Sequence, residues 1–348
     1  MASLMAAPSR LGRLGGKGPI TMLPRLDTDV SAALPCARAM DRPSRRQVLT
    51  YAAAFAASTI LPFQLSTASV SPEELELQAQ ELTRGVEEMG PVAALKRGQA
   101  HLNLIEAARP NALRNFQLRP LNRAASRTAL VCARASRWCG IDEYRWITLA
   151  ETTAGEAGDG PLMALAMLAR AAADGMAARS TDCPSPARLT LVTGALRRTG
   201  TAPEQASIRA SARFELAWEF AANGDQHGAL MELNAATFEA QSAGWPKALI
   251  DSSVGTALRK LGRLVDAELA LSGALDTPPV RRVWILCDLA RTYVASGEPD
   301  MAAEALEEAF LLTRAGGIEA RLPRILAVRS LLPPGRAKRE LVEVMHGI

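Results

Sequence analysis

Three segments decide the fold: LARTYVASGEPDMAAEALEEA (289–309), LAWEFAANGDQHGALMELNAA (216–236) and VGTALRKLGRLVDAELALSGA (254–274). They align without gaps, and seven positions correspond. The first is apolar (Leu289, Leu216, Val254) and the second small (Ala290, Ala217, Gly255). A large residue follows (Tyr293, Phe220, Leu258), then a glycine (Gly297, Gly224, Gly262). Beyond the glycine come an alanine (Ala302, Ala229, Ala267), a leucine (Leu306, Leu233, Leu271) and a closing alanine (Ala309, Ala236, Ala274). Each segment reads as two helices joined by a turn. The small residues let the two helices approach closely, the large ones fill the groove beside them, and glycine adopts the left-handed conformation that ends the first helix.

One such hairpin cannot bury its apolar face alone, so neighbours must stack. The turn glycines are 38 and then 35 residues apart. In its keyed positions the unit resembles the tetratricopeptide repeat, whose period is about 34 residues. The resemblance implies an all-α fold: antiparallel helical hairpins stacked into a right-handed solenoid. Fainter units extend the array N-terminally. Gly140 and Gly175 are 35 residues apart and each follows an apolar helix, with Ala133 and Leu168 at the close-packing position. The Pro184–Pro203 stretch interrupts this rhythm and predicts distorted geometry there.

Composition agrees. Apolar residues are 48% of the chain but aromatics only 4%, and Ala and Leu favour helices over strands. Breakers such as Gly90-Pro91, Arg119-Pro120, Gly158–Pro161, Gly244–Pro246 and Pro278-Pro279 cut residues 72–346 into about fourteen amphipathic segments, a rhythm of helices and short turns. The array opens at Ser71-Pro72-Glu73-Glu74, where a cap residue, an N1 proline and two acids mark a helix start.

Residues 1–71 differ in character. They hold eight Lys/Arg and three Asp, against 32 basic and 33 acidic residues in 72–348. The repeat region is therefore not a basic nucleic-acid-binding domain by bulk charge. Residues 1–71 read as a disordered basic leader, with Met40 as an alternative start. Within the leader, Arg45-Arg46 precede an apolar run from Thr50 to Phe63, and Ser66 and Ala68 are small residues suited to a cleavage site. Residues 44–68 thus resemble a twin-arginine export signal, or else an arginine-rich connector. The run is too short for a stable membrane anchor.

Chemistry-bearing motifs are missing. The histidines are His101, His227 and His346, far apart; no HExxH, GxSxG, CxxC or phosphate loop occurs. The five cysteines suggest neither a disulfide framework nor a zinc site, which suits a reducing compartment. We expect no catalytic residue, no metal and no cofactor.

A partner would bind the face of each hairpin's first helix. Counted from the turn glycines, that face carries Arg127, Arg134 and Arg137, with Trp138 beside them. It continues through Phe214 and Trp218, then Arg259 with Lys260 adjacent, and finally Trp284 and Arg291. Tryptophan and arginine are common interface anchors. Arg134, Arg137, Trp218, Arg259 and Arg291 are expected to meet an acidic or carboxylate-ended peptide, since arginine binds carboxylates bidentately. The competing reading packs the tryptophans against neighbouring hairpins and pairs the arginines with acids on adjacent helices.

On a larger scale, residues 72–346, about four-fifths of the chain, resemble the C-terminal repeat region of actinobacterial helix-turn-helix regulators of the xenobiotic-response-element type. ALVCARASRWCGIDEYRWITLAETTAGEAGD (129–159), PLMALAMLARAA (161–172) and the three repeats carry the resemblance; Arg45–Leu49 matches the connector of such regulators. Residues 1–43 are too short and irregular for a helix-turn-helix domain, so direct sequence-specific DNA binding is not expected. The resemblance implies a cytoplasmic, non-enzymatic regulatory adaptor in transcriptional or developmental and secondary-metabolism control. The alternative is an extracytoplasmic repeat protein exported through the twin-arginine pathway.

Overall fold

The computed structural model describes residues 70–346, apart from Glu87 and residues 113–114, 178–182, 317 and 319–320. The expected leader, including its twin-arginine segment and alternative start, lies outside the described residues save for Val70 and Ser71. The described residues form fourteen α-helices and two short 3-10 turns, with no strand among them.

Helices α1 (Pro72–Gly85) and α2 (Pro91–Ala108) both pack on α3 (Asn115–Cys139). Five contacting pairs then follow in order. α3 pairs with α4 (Tyr144–Ala157), and α5 (Gly160–Ala177) with α6 (Pro186–Arg198). The quoted repeats form the next three: α7 (Ala206–Ala222) with α8 (Gln226–Ser242), α9 (Lys247–Lys260) with α10 (Leu264–Gly273), and α11 (Pro279–Ser296) with α12 (Pro299–Ala315). Helices α13 (Leu322–Leu331) and α14 (Arg336–His346) close the chain. First helices also touch one another in sequence, α3 on α5, α5 on α7, α7 on α9, α9 on α11 and α11 on α13.

The local signals act as read. The Ser71 hydroxyl accepts the Glu74 N–H and caps α1. Gly224, Gly262 and Gly297 take φ of 76°, 74° and 81°, a region costly for any side chain, and each ends a first helix. The keyed alanines Ala302, Ala229 and Ala267 are fully buried, as are Ala309, Ala236 and Ala274. At Gly255 a β-carbon would sit 2.6 Å from Leu271 Cγ, so glycine there lets α9 and α10 close. Ala290, fully buried on α11, has the same task. Enlarging it in Ala290→Leu should cost about 1–3 kcal/mol by overpacking, read as a lowered melting temperature; an unchanged one would contradict the register.

Three expectations need correction. Pro120 does not break a helix; it sits in the second turn of α3, where its missing N–H costs a single hydrogen bond close to the helix start. Gly175 is not a turn, because α5 runs on to Ala177. Its lack of a β-carbon instead admits Arg188, whose Cζ would lie 3.0 Å from one. The Pro184–Pro203 stretch holds an ordinary helix, α6, capped by the Ser185 hydroxyl on the Arg188 N–H.

The core is not continuous along the array. One buried cluster includes Leu75, Leu102, Leu121 and Trp138, then resumes at Leu271 and runs through Leu289, Leu306 and Ile325 to Leu341. The helices before residue 140 and those after residue 270 therefore share it, while α5–α10 hold smaller clusters of their own. In the first cluster's neighbourhood His101 is buried with Nδ1 2.8 Å from Thr128 Oγ1. That hydroxyl also donates to the Ala124 carbonyl. Burial lowers the His101 pKa to about 4. The unfolded chain takes up this proton near pH 6.5 and the folded chain does not. The stability His101 contributes is therefore complete above about 6.5 and is lost as pH falls toward 4. Melting curves of His101→Gln should be flatter than wild type across that window.

Candidate binding pocket

The faces of the first helices converge on a cavity of about 260 Å³. Helix α3 contributes Arg134, Arg137 and Trp138, and α5 the small Ala172 and Gly175. Arg188 comes from α6, Glu215 and Trp218 from α7. Helix α9 supplies Ser252, Ser253, Thr256 and Lys260; α11 supplies Val280, Arg281, Trp284 and Ile285. Arg321, just before α13, completes the wall.

Six of the ten residues picked from sequence line this cavity: Arg134, Arg137, Trp138, Trp218, Lys260 and Trp284. The other four lie elsewhere. Phe214 is not on an open face; it is buried and stacks on Trp245 with centroids 5.9 Å apart, because the α7–α9 seam needs a large apolar filler there. Arg259 turns inward to Asp288, at 3.5 Å, and Arg291 contributes its charge to the same carboxylate. Arg127 is half-buried on α3 away from the cavity wall.

Much of the wall is held by ion pairs. Arg137 Nε donates to Glu143 Oε2 at 2.6 Å and Nη2 to the Ala169 carbonyl at 3.0 Å, tying α3 to the start of α4 and to α5. Burial pushes the Glu143 carboxyl above its usual range although Arg137 pulls the other way. Arg188 reaches Glu219 at 2.8 Å and Glu215 at 3.2 Å, and the second Glu219 oxygen accepts the Ser185 N–H. Burial raises the Glu215 pKa against the pull of Arg188. Behind α9 and α11, the fully buried Asp288 accepts Arg324 at 2.8 Å and the Thr256 hydroxyl at 2.9 Å. Burial alone would raise its pKa, but Arg324, Arg259, Arg291 and Thr256 outweigh burial and hold it below the ordinary value.

The indoles are positioned too. Trp218 Nε1 donates to the Ser253 carbonyl at 3.0 Å. Arg134 lies over Trp138 at 5.3 Å, and Trp284 carries Arg324 at 3.7 Å and Arg321 at 5.1 Å from its ring centre. Positive side chains outnumber acidic ones six to one on the lining, with Glu215 the acid.

Sequence reasoning missed Arg188, Glu215, Arg281 and Arg321. Arg281 lies one turn before Trp284 and could have been found by extending that face backward. Glu215 lies one turn before Trp218 and could have been found in the same way. Arg188 and Arg321 carry no such signal: one crosses from a second helix, and the other arrives from a connection that only tertiary packing brings near α3.

No family model, curated protein or solved structure matches this chain. No helix among the described residues is long and apolar enough to cross a membrane.

Proposed function

We propose that this protein is a non-enzymatic regulatory adaptor. Its helical hairpins stack as a tetratricopeptide-like right-handed solenoid, and its inner face holds an acidic segment of a partner protein. One observation carries the reading: residues picked for the inner face on α3, α7, α9 and α11 meet in one cavity whose lining is rich in arginine and tryptophan. Arginine supplies bidentate contacts to carboxylates and tryptophan flat apolar area beside them. The resemblance to the repeat region of helix-turn-helix regulators gives the regulatory setting. The unbridged thiols Cys132, Cys139, Cys183 and Cys287 fit a reducing, cytoplasmic compartment.

The test is a titration of the full chain with a labelled ten-residue Asp/Glu-rich peptide, followed by anisotropy. Saturable binding that weakens with salt and is absent for a Lys-substituted peptide is expected. Lys260→Glu, which reverses one charge on the cavity wall, should weaken it about tenfold or more. Equal binding of both peptides, or of neither, would refute the reading.

A further inference from the structure

Arg321 has no place in the scheme of ion pairs just described. It is 5% exposed. Its Nε and Nη1 are buried without a hydrogen-bond partner. Its described neighbours are the Trp284 ring and the cations Arg324 and Arg137, with Cys287 and Glu143 exerting a smaller opposing pull. Burial first, and those cations second, bring its pKa down to about 9. A guanidinium held dry among like charges is costly unless an anion offsets it. Arg188 and Arg137, on the same wall, each have their carboxylates; Arg321 does not.

The cavity that Arg321 faces restricts what such an anion could be. Its volume, about 260 Å³, is just under the range of roughly 300–1,000 Å³ typical of drug-sized ligand sites. It has room for one ring and one charged group. Its walls combine the indoles of Trp138, Trp218 and Trp284 with Val280 and Ile285, which a bare inorganic ion would leave unused. The hydroxyl-bearing Ser252, Ser253 and Thr256 add polar atoms on the α9 side.

We propose that this cavity is a binding site for a small aromatic anion, a single flat ring bearing a carboxylate or a phosphate. The oxyanion takes the Arg321 N–H groups and the ring lies against the indoles. This goes beyond the partner reading: the anion and an acidic partner segment would compete for the same cations, making the anion an effector that releases the partner.

The experiment uses calorimetry and tryptophan fluorescence on the full chain. Benzoate and phenyl phosphate carry both ring and charge; acetate and inorganic phosphate carry charge alone; benzyl alcohol carries the ring alone. At least one of the first two should bind about tenfold or more tighter than either of its parts, and the one that binds tells carboxylate from phosphate. Arg321→Gln should lose about tenfold or more of that affinity. It should melt no lower than wild type without ligand, because it removes an unpaired buried charge. Arg321→Lys, with charge but no planar fork, should fall between. If Arg321→Gln fails to fold, Lys260→Gln on the same wall replaces it and should weaken the better probe several-fold. The proposal is overturned if neither ring-bearing anion binds saturably, if charge or ring alone binds as tightly, or if the folded variant binds like wild type. Acidic-peptide binding without small-anion binding would remove this proposal and leave the adaptor reading standing; the converse would do the reverse.

Discussion

Asp288→Ala should lower stability by about 3–5 kcal/mol, because removing one partner of a buried ion pair leaves the other charge uncompensated. Asp288 is fully buried and gathers Arg324, Arg259 and the Thr256 hydroxyl, which come from α13 and α9 while it sits on α11. Its loss leaves several cations facing one another in a dry seam. The sign of its pH dependence follows from the depressed pKa: its contribution is present above the unfolded carboxylate range and is lost as pH falls through the lower folded value. The deficit of Asp288→Ala relative to wild type should therefore shrink in acid. Denaturant midpoints at neutral and acid pH check both statements, and a deficit that grew in acid would contradict the second.

Arg188→Met should cost a comparable amount, about 3–5 kcal/mol, from the opposite side of the charge balance. The guanidinium is 6% exposed and bridges Glu215 and the fully buried Glu219. Methionine keeps most of the volume beside Gly175 and leaves two carboxylates unpaired. Glu215, whose carboxyl burial already raises above its ordinary value, can relieve the strain by taking a proton, so lowering the pH should restore part of the lost stability. A variant as stable as wild type at neutral pH would show that Glu219 is satisfied by the Ser185 N–H alone.

The ion pairs in and behind the cavity wall revise the expectation for the arginines. Arg137 is committed to Glu143 and the Ala169 carbonyl, and Arg259 to Asp288. Replacing them would disturb stability as well as binding. The double change Arg134→Ala with Arg137→Ala is therefore a poor probe of partner affinity, and Arg321 is a better one.

What the sequence made legible follows periodicity. The Leu216, Leu289 and Ala302 class of positions is read from spacing, and their burial matches because close helix packing accepts few residue types. The inner face is read from the same spacing, which is why Trp218, Trp284 and Lys260 reach the cavity. Phe214 fails because the face of a helix has edges. A residue one turn from the open side can serve the seam with the next hairpin, and no period distinguishes the two. Pro120 fails because a proline near a helix start looks the same in sequence as one that ends a helix. Arg321 is invisible for a deeper reason. Its neighbour Arg137 is nearly two hundred residues away in the chain, and local pattern carries nothing about which distant helices meet.

The buried cluster that joins Leu75–Trp138 to Leu271–Leu341 has a consequence for how this chain can change. An open row of repeats can gain or lose a unit, since each unit leans only on its neighbours. Here one buried cluster draws side chains from both flanks of the middle helices, so the number of helices between those flanks is not free to vary. A helix pair duplicated or deleted between residues 140 and 270 would change the separation that lets Leu75–Trp138 and Leu271–Leu341 share that cluster. Insertions should therefore be tolerated in the connections between helices and not as whole added units, a limit on length that the shared cluster imposes.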